Sequence, residues 1–384
     1  MNESADLIPP PRPRPKRTLL KRLEHAFKAF FFYLVQLSFK RGRNPQGNIN
    51  PVTIKRVLFL RPDRLGDMVI SLPVFHNLKK MHPRIEIFVL CSPRNLILIK
   101  EDDCVDRKFL YTKNIFRDLV TLRQIRRLEV DVVIDMILRD SVTALILSQI
   151  ASSRAWRLGL NKFDHDRYYD YNYKKWDENQ PHMLDYTLGL LGFLGLDVGR
   201  LQKQAPPSLP QSSINTITHF LESLNGTSAS ALIGLNISAG RPSRVWPKEK
   251  NIKLINLLLD RYPTCHIIIT SDPAEQPLAA SLAAGFSSRV SAILPGLDLL
   301  EVSALISRMK MLITPDTSLV HIARAFNVPV VGLYTRAREN YQHWHPYQQK
   351  GGTVISGDDY NLFDIEVADV FNAALTLVPP EKNL

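Results

Sequence analysis

From about residue 56 onward, short apolar runs of β type alternate with stretches of helical period. That alternation is what a parallel sheet covered by helices requires, and it leaves little room for all-α or all-β folds. In the first half it predicts strands at Arg56–Leu60, Ile85–Leu90 and Val132–Met136, with helices over Val69–Lys80 and Ser141–Ile150. A second set follows, with strands at Leu232–Asn236, His266–Thr270, Val290–Leu294, Met311–Thr314 and Pro329–Tyr334. Between the sets, Leu201–Ser213 is rich in Pro, Ser and Gln, has no periodicity and reads as a linker. A chain of 384 residues exceeds one ordinary domain. The expectation is an α/β protein with two Rossmann-like domains facing across a cleft, at residues 51–205 and 206–384.

A net charge of +12 raises the question of nucleic acid, and its distribution argues against it. The first 50 residues hold ten Lys/Arg against three acidic residues, more than half of the whole excess. Within them, residues 9–15 (PPPRPRP) cannot be helical. From Thr18, the residues Leu20, Leu23, Phe27, Phe30, Phe31, Leu34 and Leu37 recur at spacings of three and four, up to the basic run Lys40–Arg43. The least interrupted apolar run, Ala29–Val35, falls far short of the ~20 residues needed to span a bilayer, and no small-residue cleavage site follows it. Residues 18–43 therefore read as an amphipathic helix on an anionic membrane surface, with docking to a partner protein as the other reading. The cysteines Cys91, Cys104 and Cys265 are too scattered for a disulfide framework and favour a reducing compartment.

In open α/β sheets ligands bind where strands end, so the loops leaving the strands carry the chemistry. The first, Arg61–Asp67 (RPDRLGD), places Gly66 at a tight turn and Asp67 at a helix start, as a plain N-cap or as a general base. The second, Leu235–Pro247 (LNISAGRPSRVWP), combines small residues with Arg241 and Arg244, a composition suited to phosphate. The third, Thr314–His321 (TPDTSLVH), sets Asp316, Thr317 and Ser318 at a helix N-terminus, where unpaired N–H groups favour an anion. There Asp316 also suits a capping role and His321 simple packing.

Together these segments, with Asp131–Arg139 (DVVIDMILR), resemble glycosyltransferase family 9, the bacterial heptosyltransferases that build the lipopolysaccharide inner core. The likeness runs from about Val57 to Val370. It implies a GT-B fold, with the acceptor on the N-terminal domain and a nucleotide sugar, ADP-heptose in that family, mostly on the C-terminal one. It implies Asp67 as the base, with Arg61, Asp63, Arg64, Gly66 and Arg139 on the acceptor side. Asn236, Ser238, Gly240, Arg244, Asp316, Thr317, Ser318 and His321 fall to the donor, with no metal or other cofactor required. It further implies work on a glycolipid at the cytoplasmic face of the bacterial inner membrane.

The chain departs from the pattern in two places. Ser318 replaces the usual glycine. Asn161–Glu178 mixes acidic and aromatic residues where a basic, acceptor-facing loop is expected, so the acceptor is expected to differ from phosphorylated Kdo-lipid A. The same stretch holds Asp164-His-Asp166, formally a D-x-D metal signature that a GT-B reading does not need. The rival functions are a nucleotide-sugar epimerase of GT-B-like fold and a non-catalytic membrane-associated sugar-binding protein. The first is disfavoured by the membrane-type N-terminus, the second by the presence of Asp67, Arg244 and Asp316. A dehydrogenase is disfavoured because no G-x-G-x-x-G follows a predicted strand.

Overall fold

The two sets of apolar runs become two six-stranded sheets in the computed structural model, which describes residues 38–174, 182–224, 231–286 and 288–379. The first sheet comprises β1 (Arg56–Arg61), β2 (Glu86–Cys91), β3 (Arg107–Leu110), β4 (Val132–Asp135), β5 (Trp156–Leu160) and β6 (Tyr171–Tyr173), in the order β3-β2-β1-β4-β5-β6. The second comprises β7 (Ala231–Asn236), β8 (Cys265–Thr270), β9 (Val290–Ala292), β10 (Met311–Pro315), β11 (Val330–Tyr334) and β12 (Thr353–Ile355), in the order β12-β11-β10-β7-β8-β9. Every strand pair is parallel. The central strands are apolar because both faces are covered, and Val57 to Leu60 are fully buried. In each sheet the connections run one way on one side of the first strand and the other way on the other side. The resulting switch points lie between β1 and β4 and between β7 and β10.

The structure corrects several expectations. The helix read over Val69–Lys80 is two helices, Leu65–Val69 and Leu72–Met81, broken at Ile70 and Ser71. Pro73 has no N–H to continue the first helix and instead sits in the opening turn of the second. The linker ends at Pro210, because Gln211–Ser223 is helical and packs Ile217 and Phe220 into the core. Four strands escape the periodicity. β3, β6 and β12 are short strands at or next to solvent-facing sheet edges. β5 is interrupted by Arg157 and by Gly159, whose Cβ would lie 2.8 Å from the Lys162 side chain.

The amphipathic segment read from Thr18 lies outside the described residues as far as residue 37. Arg43, the last cation of its basic run, is engaged by the body. It pairs with Asp170 at 2.8 Å, donates to the Ala155 carbonyl and lies 3.6 Å over the Trp156 ring. Among the described residues no helix is long and apolar enough to cross a membrane.

A buried ion pair closes the carboxyl end of β4. The Lys162 ammonium, with no solvent exposure, meets the Asp135 carboxylate at 2.7 Å and donates to the carbonyls of Ile137 (2.6 Å) and Arg139 (2.8 Å). Asp135 also accepts the Tyr169 hydroxyl at 2.5 Å and the Ile137 N–H at 3.0 Å. All three ammonium protons are thereby used, and the loop that carries Arg139, at φ +65°, is pinned from below. Removing one partner leaves a buried charge unpaired. Lys162→Met should therefore cost about 3–5 kcal/mol in urea unfolding, and an unchanged midpoint would show the pair to be dispensable.

Candidate active site

The first switch point is organised around the end of β1. Arg61 is 1 % exposed, and its guanidinium donates to the Asp63 carboxylate (2.9 Å), the Met136 carbonyl (2.6 Å), the Ser71 hydroxyl (2.8 Å) and the Asp67 carbonyl (3.1 Å). The buried Asn95 amide donates back to the Arg61 carbonyl at 2.9 Å. Arg61, expected on the acceptor, thus shapes the loop from within. Arg61 Nη2 and Asp63 Oδ1 are buried and find no hydrogen-bond partner among the described residues.

Asp67 is not the N-cap of its helix. That position is Arg64, whose side chain makes no capping bond, and Asp67 falls in the first turn. Its partly exposed carboxylate lies 3.9 Å from the Arg61 guanidinium. Asp63 behaves differently. Burial and the Asp67 charge push it up to about 7, against the pull of Arg61.

At the second switch point, Asn236 links the ends of β7 and β10. Its amide donates to Thr314 Oγ1 (2.9 Å) and to the Ser238 carbonyl (3.1 Å), and its carbonyl accepts the Ser238 N–H. The buried Ser238 hydroxyl accepts the Asp272 N–H at 2.7 Å. These two donor-side candidates therefore brace the loop. A Cβ at Gly240 would meet nothing within 4 Å, so no close approach requires a glycine there. Arg244 pairs with Asp316 at 2.9 Å, both sides less than one-fifth exposed. Burial raises Asp316 against Arg244 and against Arg64, whose charge reaches it from the opposite rim. Thr317 caps the helix Ser318–Ala325 by accepting the Leu319 N–H, so Asp316 is left to orient Arg244.

The two rims touch. The helix Leu65–Val69 packs on the helix Ser318–Ala325, and a Cβ at Gly66 would stand 3.1 Å from the His321 ring and 3.7 Å from Ser318 Cα. Gly66 is thus a close-approach residue, and Ser318 in place of glycine still fits. Behind this contact sits a cluster of rings that periodicity could not reveal. His182 Nδ1 accepts the Leu184 N–H and Nε2 lies 2.9 Å from the His345 carbonyl, a pairing that fixes one neutral tautomer. His182 and His321 stand 6.1 Å apart, with Trp344 5.6 Å from His321.

The aromatic stretch Asn161–Glu178 is largely structural where it is described. Tyr168 and Tyr169 are buried, and Tyr171 to Tyr173 form β6. Asp166 bonds Asn172 and pairs with Lys174, while the Phe163, Asp164 and His165 N–H groups converge on Asp140. Of the D-x-D pair, the Asp166 carboxylate and the Asp164 N–H thus serve loop structure. Arg139 projects at the rim, exposed.

Two Rossmann-type sheets meeting through their switch points define the GT-B architecture. A profile described as Glycosyltransferase family 9 (heptosyltransferase) matches residues 120–373, and the chain belongs to that family. Lipopolysaccharide heptosyltransferase 3 of Escherichia coli is 23 % identical over 333 residues, 82 % of this chain and 93 % of that protein. Among solved structures, a family 9 glycosyltransferase of Veillonella parvula superposes with a TM-score of 0.70 at 19 % identity, over 84 % of this chain and 97 % of that one. An E. coli ADP-heptose lipopolysaccharide heptosyltransferase II gives 0.65 at 18 % identity, over 84 % and 98 %. The Arg61–Asp67 loop lies ahead of the matched residues, at the first switch point.

The neutral histidines make the rim contact sensitive to acid. Burial lowers His182 well below its ordinary value, and burial followed by the His345 charge lowers His321 from 6.5 to about 4. The unfolded chain takes up these protons first, so stability is lost as pH falls below the unfolded value and towards the folded one. For His321 the loss between pH 7.5 and pH 5 should be roughly 2 kcal/mol. Urea midpoints at the two pH values should show a smaller difference for His321→Gln than for the wild type.

Proposed function

We propose that this enzyme moves a heptose, or a closely related sugar, from ADP-heptose or a similar nucleotide diphosphate donor to a lipopolysaccharide-core or like glycolipid. It would act at the cytoplasmic face of the bacterial inner membrane. Family membership and the similarity to E. coli lipopolysaccharide heptosyltransferase 3 support the reaction class. The observation that carries the reading is the Gly66–His321 contact, because it sets the Asp67-bearing helix directly beside the helix that opens at Ser318. An acceptor hydroxyl at Asp67 and a sugar held by its diphosphate at the Ser318 helix are then neighbours.

In this reading Asp67 takes the acceptor proton as the oxygen attacks the anomeric carbon. The bond to the diphosphate breaks, and the leaving charge meets Arg244 and the first-turn N–H groups of the Ser318–Ala325 helix. Asp316 aims Arg244, and Thr317 sets the helix start. Asn236 and Ser238 hold the loop, Gly240 leaves it open, and neutral His321 packs the rim. Asp63, Arg64 and Arg139 face the acceptor side, while Arg61 positions the acids. With Tyr168, Tyr169 and Lys162 committed to the core, the acceptor is read by the rim, and an acceptor other than phosphorylated Kdo-lipid A stays part of this proposal.

The test is nucleoside diphosphate release from ADP-heptose and other nucleotide sugars, with and without glycolipid. Asp67→Asn should lower transfer ~10²–10⁴-fold and leave donor affinity near wild type. Asp63, raised to about 7, is the rival base. If it held that role, Asp63→Asn would be the dead variant, and the wild-type rate would climb with pH through about 7.

Arg244→Ala should weaken both the sugar donor and the free nucleoside diphosphate by ~1.5–3 kcal/mol in calorimetry. Wild-type affinity for both would remove Arg244 from the site.

A further inference from the structure

The helix Ile115–Arg127 turns part of its apolar content outward. Asp118, Leu122 and Ile125 are its buried residues, whereas Ile115, Phe116, Leu119 and Val120 are 69 %, 78 %, 46 % and 54 % exposed. The same outer face continues into the exposed Arg123, Arg126 and Arg127, and Lys113 and Arg117 flank it. The helix has one acid, Asp118, and it is turned inward to accept the N–H and hydroxyl of Thr112. Four apolar side chains followed by cations, with the neutral Gln124 beside them and no exposed carboxylate, make up the outer surface of this helix.

Its place in the fold matters as much as its composition. The helix begins just beyond the carboxyl end of β3, on the rim that carries Arg64 and Asp67 beyond β1. Val142 (43 % exposed) and Phe163 (62 % exposed) follow the carboxyl ends of β4 and β5 on that same rim. Contiguous exposed apolar surface marks an interaction site, and interleaved Arg and Lys select a partner that is apolar at depth and anionic at its surface.

We infer that the outer face of Ile115–Arg127 docks on an anionic lipid bilayer, with Phe116 and Leu119 in the acyl boundary and Arg123, Arg126 and Arg127 among the headgroups. Docked so, the acceptor rim of the cleft faces the headgroup plane. The inference deepens the glycolipid reading above, but the docking itself needs no transfer chemistry.

The experiment uses the full chain and phosphatidylcholine vesicles with and without phosphatidylglycerol, free of donor and acceptor. Phe116→Asp/Leu119→Asp should reduce partition onto the anionic vesicles on the order of tenfold. Arg123→Gln/Arg126→Gln/Arg127→Gln should do likewise and flatten the salt dependence. Tyr360→Asp/Phe363→Asp, which removes equally exposed rings from the second half (79 % and 56 %), should bind as wild type. Wild-type partition for the helix variants, or an equal loss for the control, would overturn the proposal. So would lipid-independent self-association that the Phe116 variant abolishes, because the face would then belong to a second copy. Phe116→Ser/Leu119→Ser, with an unchanged melting curve, separates docking from folding. Diphosphate release with a delipidated acceptor fragment is read separately. Its failure in the wild type would count against the glycosyl-transfer reading and leave the docking result intact.

Discussion

The guanidinium of Arg61 carries the geometry of the first switch point, and much of the cleft follows from it. A planar cation with five donors binds a carboxylate, two carbonyls and a hydroxyl that belong to β1's own loop, to the break between two helices and to the end of β4. A lysine has neither the reach nor the fork for this set. Arg61 also ties the Ser71 hydroxyl and the Asp67 carbonyl together, which holds in place the helix break that Pro73 imposes. Because it balances Asp63 and Asp67, two acids share one loop without driving each other out of it.

Much of this was legible in the sequence. Parallel strands buried on both faces leave continuous apolar runs, and the three loops singled out by composition lie at the two switch points, where the topology gathers ligands. What escaped was set by partners distant in the chain. Lys162 reads as one more charge in a mixed segment until Asp135, 27 residues earlier, is found beneath it. Arg43 reads as part of a basic run until Asp170 and Trp156 take it up. His182 carries no local pattern, because its two partners are a backbone N–H two residues on and a carbonyl far along the chain. The helix break at Ile70 and Ser71 was signalled by Pro73, a cue that the apolar periodicity around it masked.

The loops also divide their labour in a way that motifs do not reveal. Residues such as Asn236 and Ser238 sit within the donor pattern, yet their hydrogen bonds go to strand ends and neighbouring loops. In the proposed reading, such groups hold a few others, here Arg244, Asp316 and the Ser318 helix, within the tolerances that electrostatic stabilisation demands. A pattern match therefore marks a site as a unit, and only geometry separates the groups that reach a ligand from those that keep them in place.

The largest apolar cluster does not stop at the boundary between the sheets. It runs from Val57 and Phe59 through Leu201, Ala205 and Phe220 to Ile268, Leu305 and Val320. A protein whose halves share one interior melts as one body, with damage on either side felt on the other. Either half expressed alone would present that interior to water as a sticky wall. The scope for exchanging halves between relatives is correspondingly narrow: a chimera must match the seam as well as the substrate.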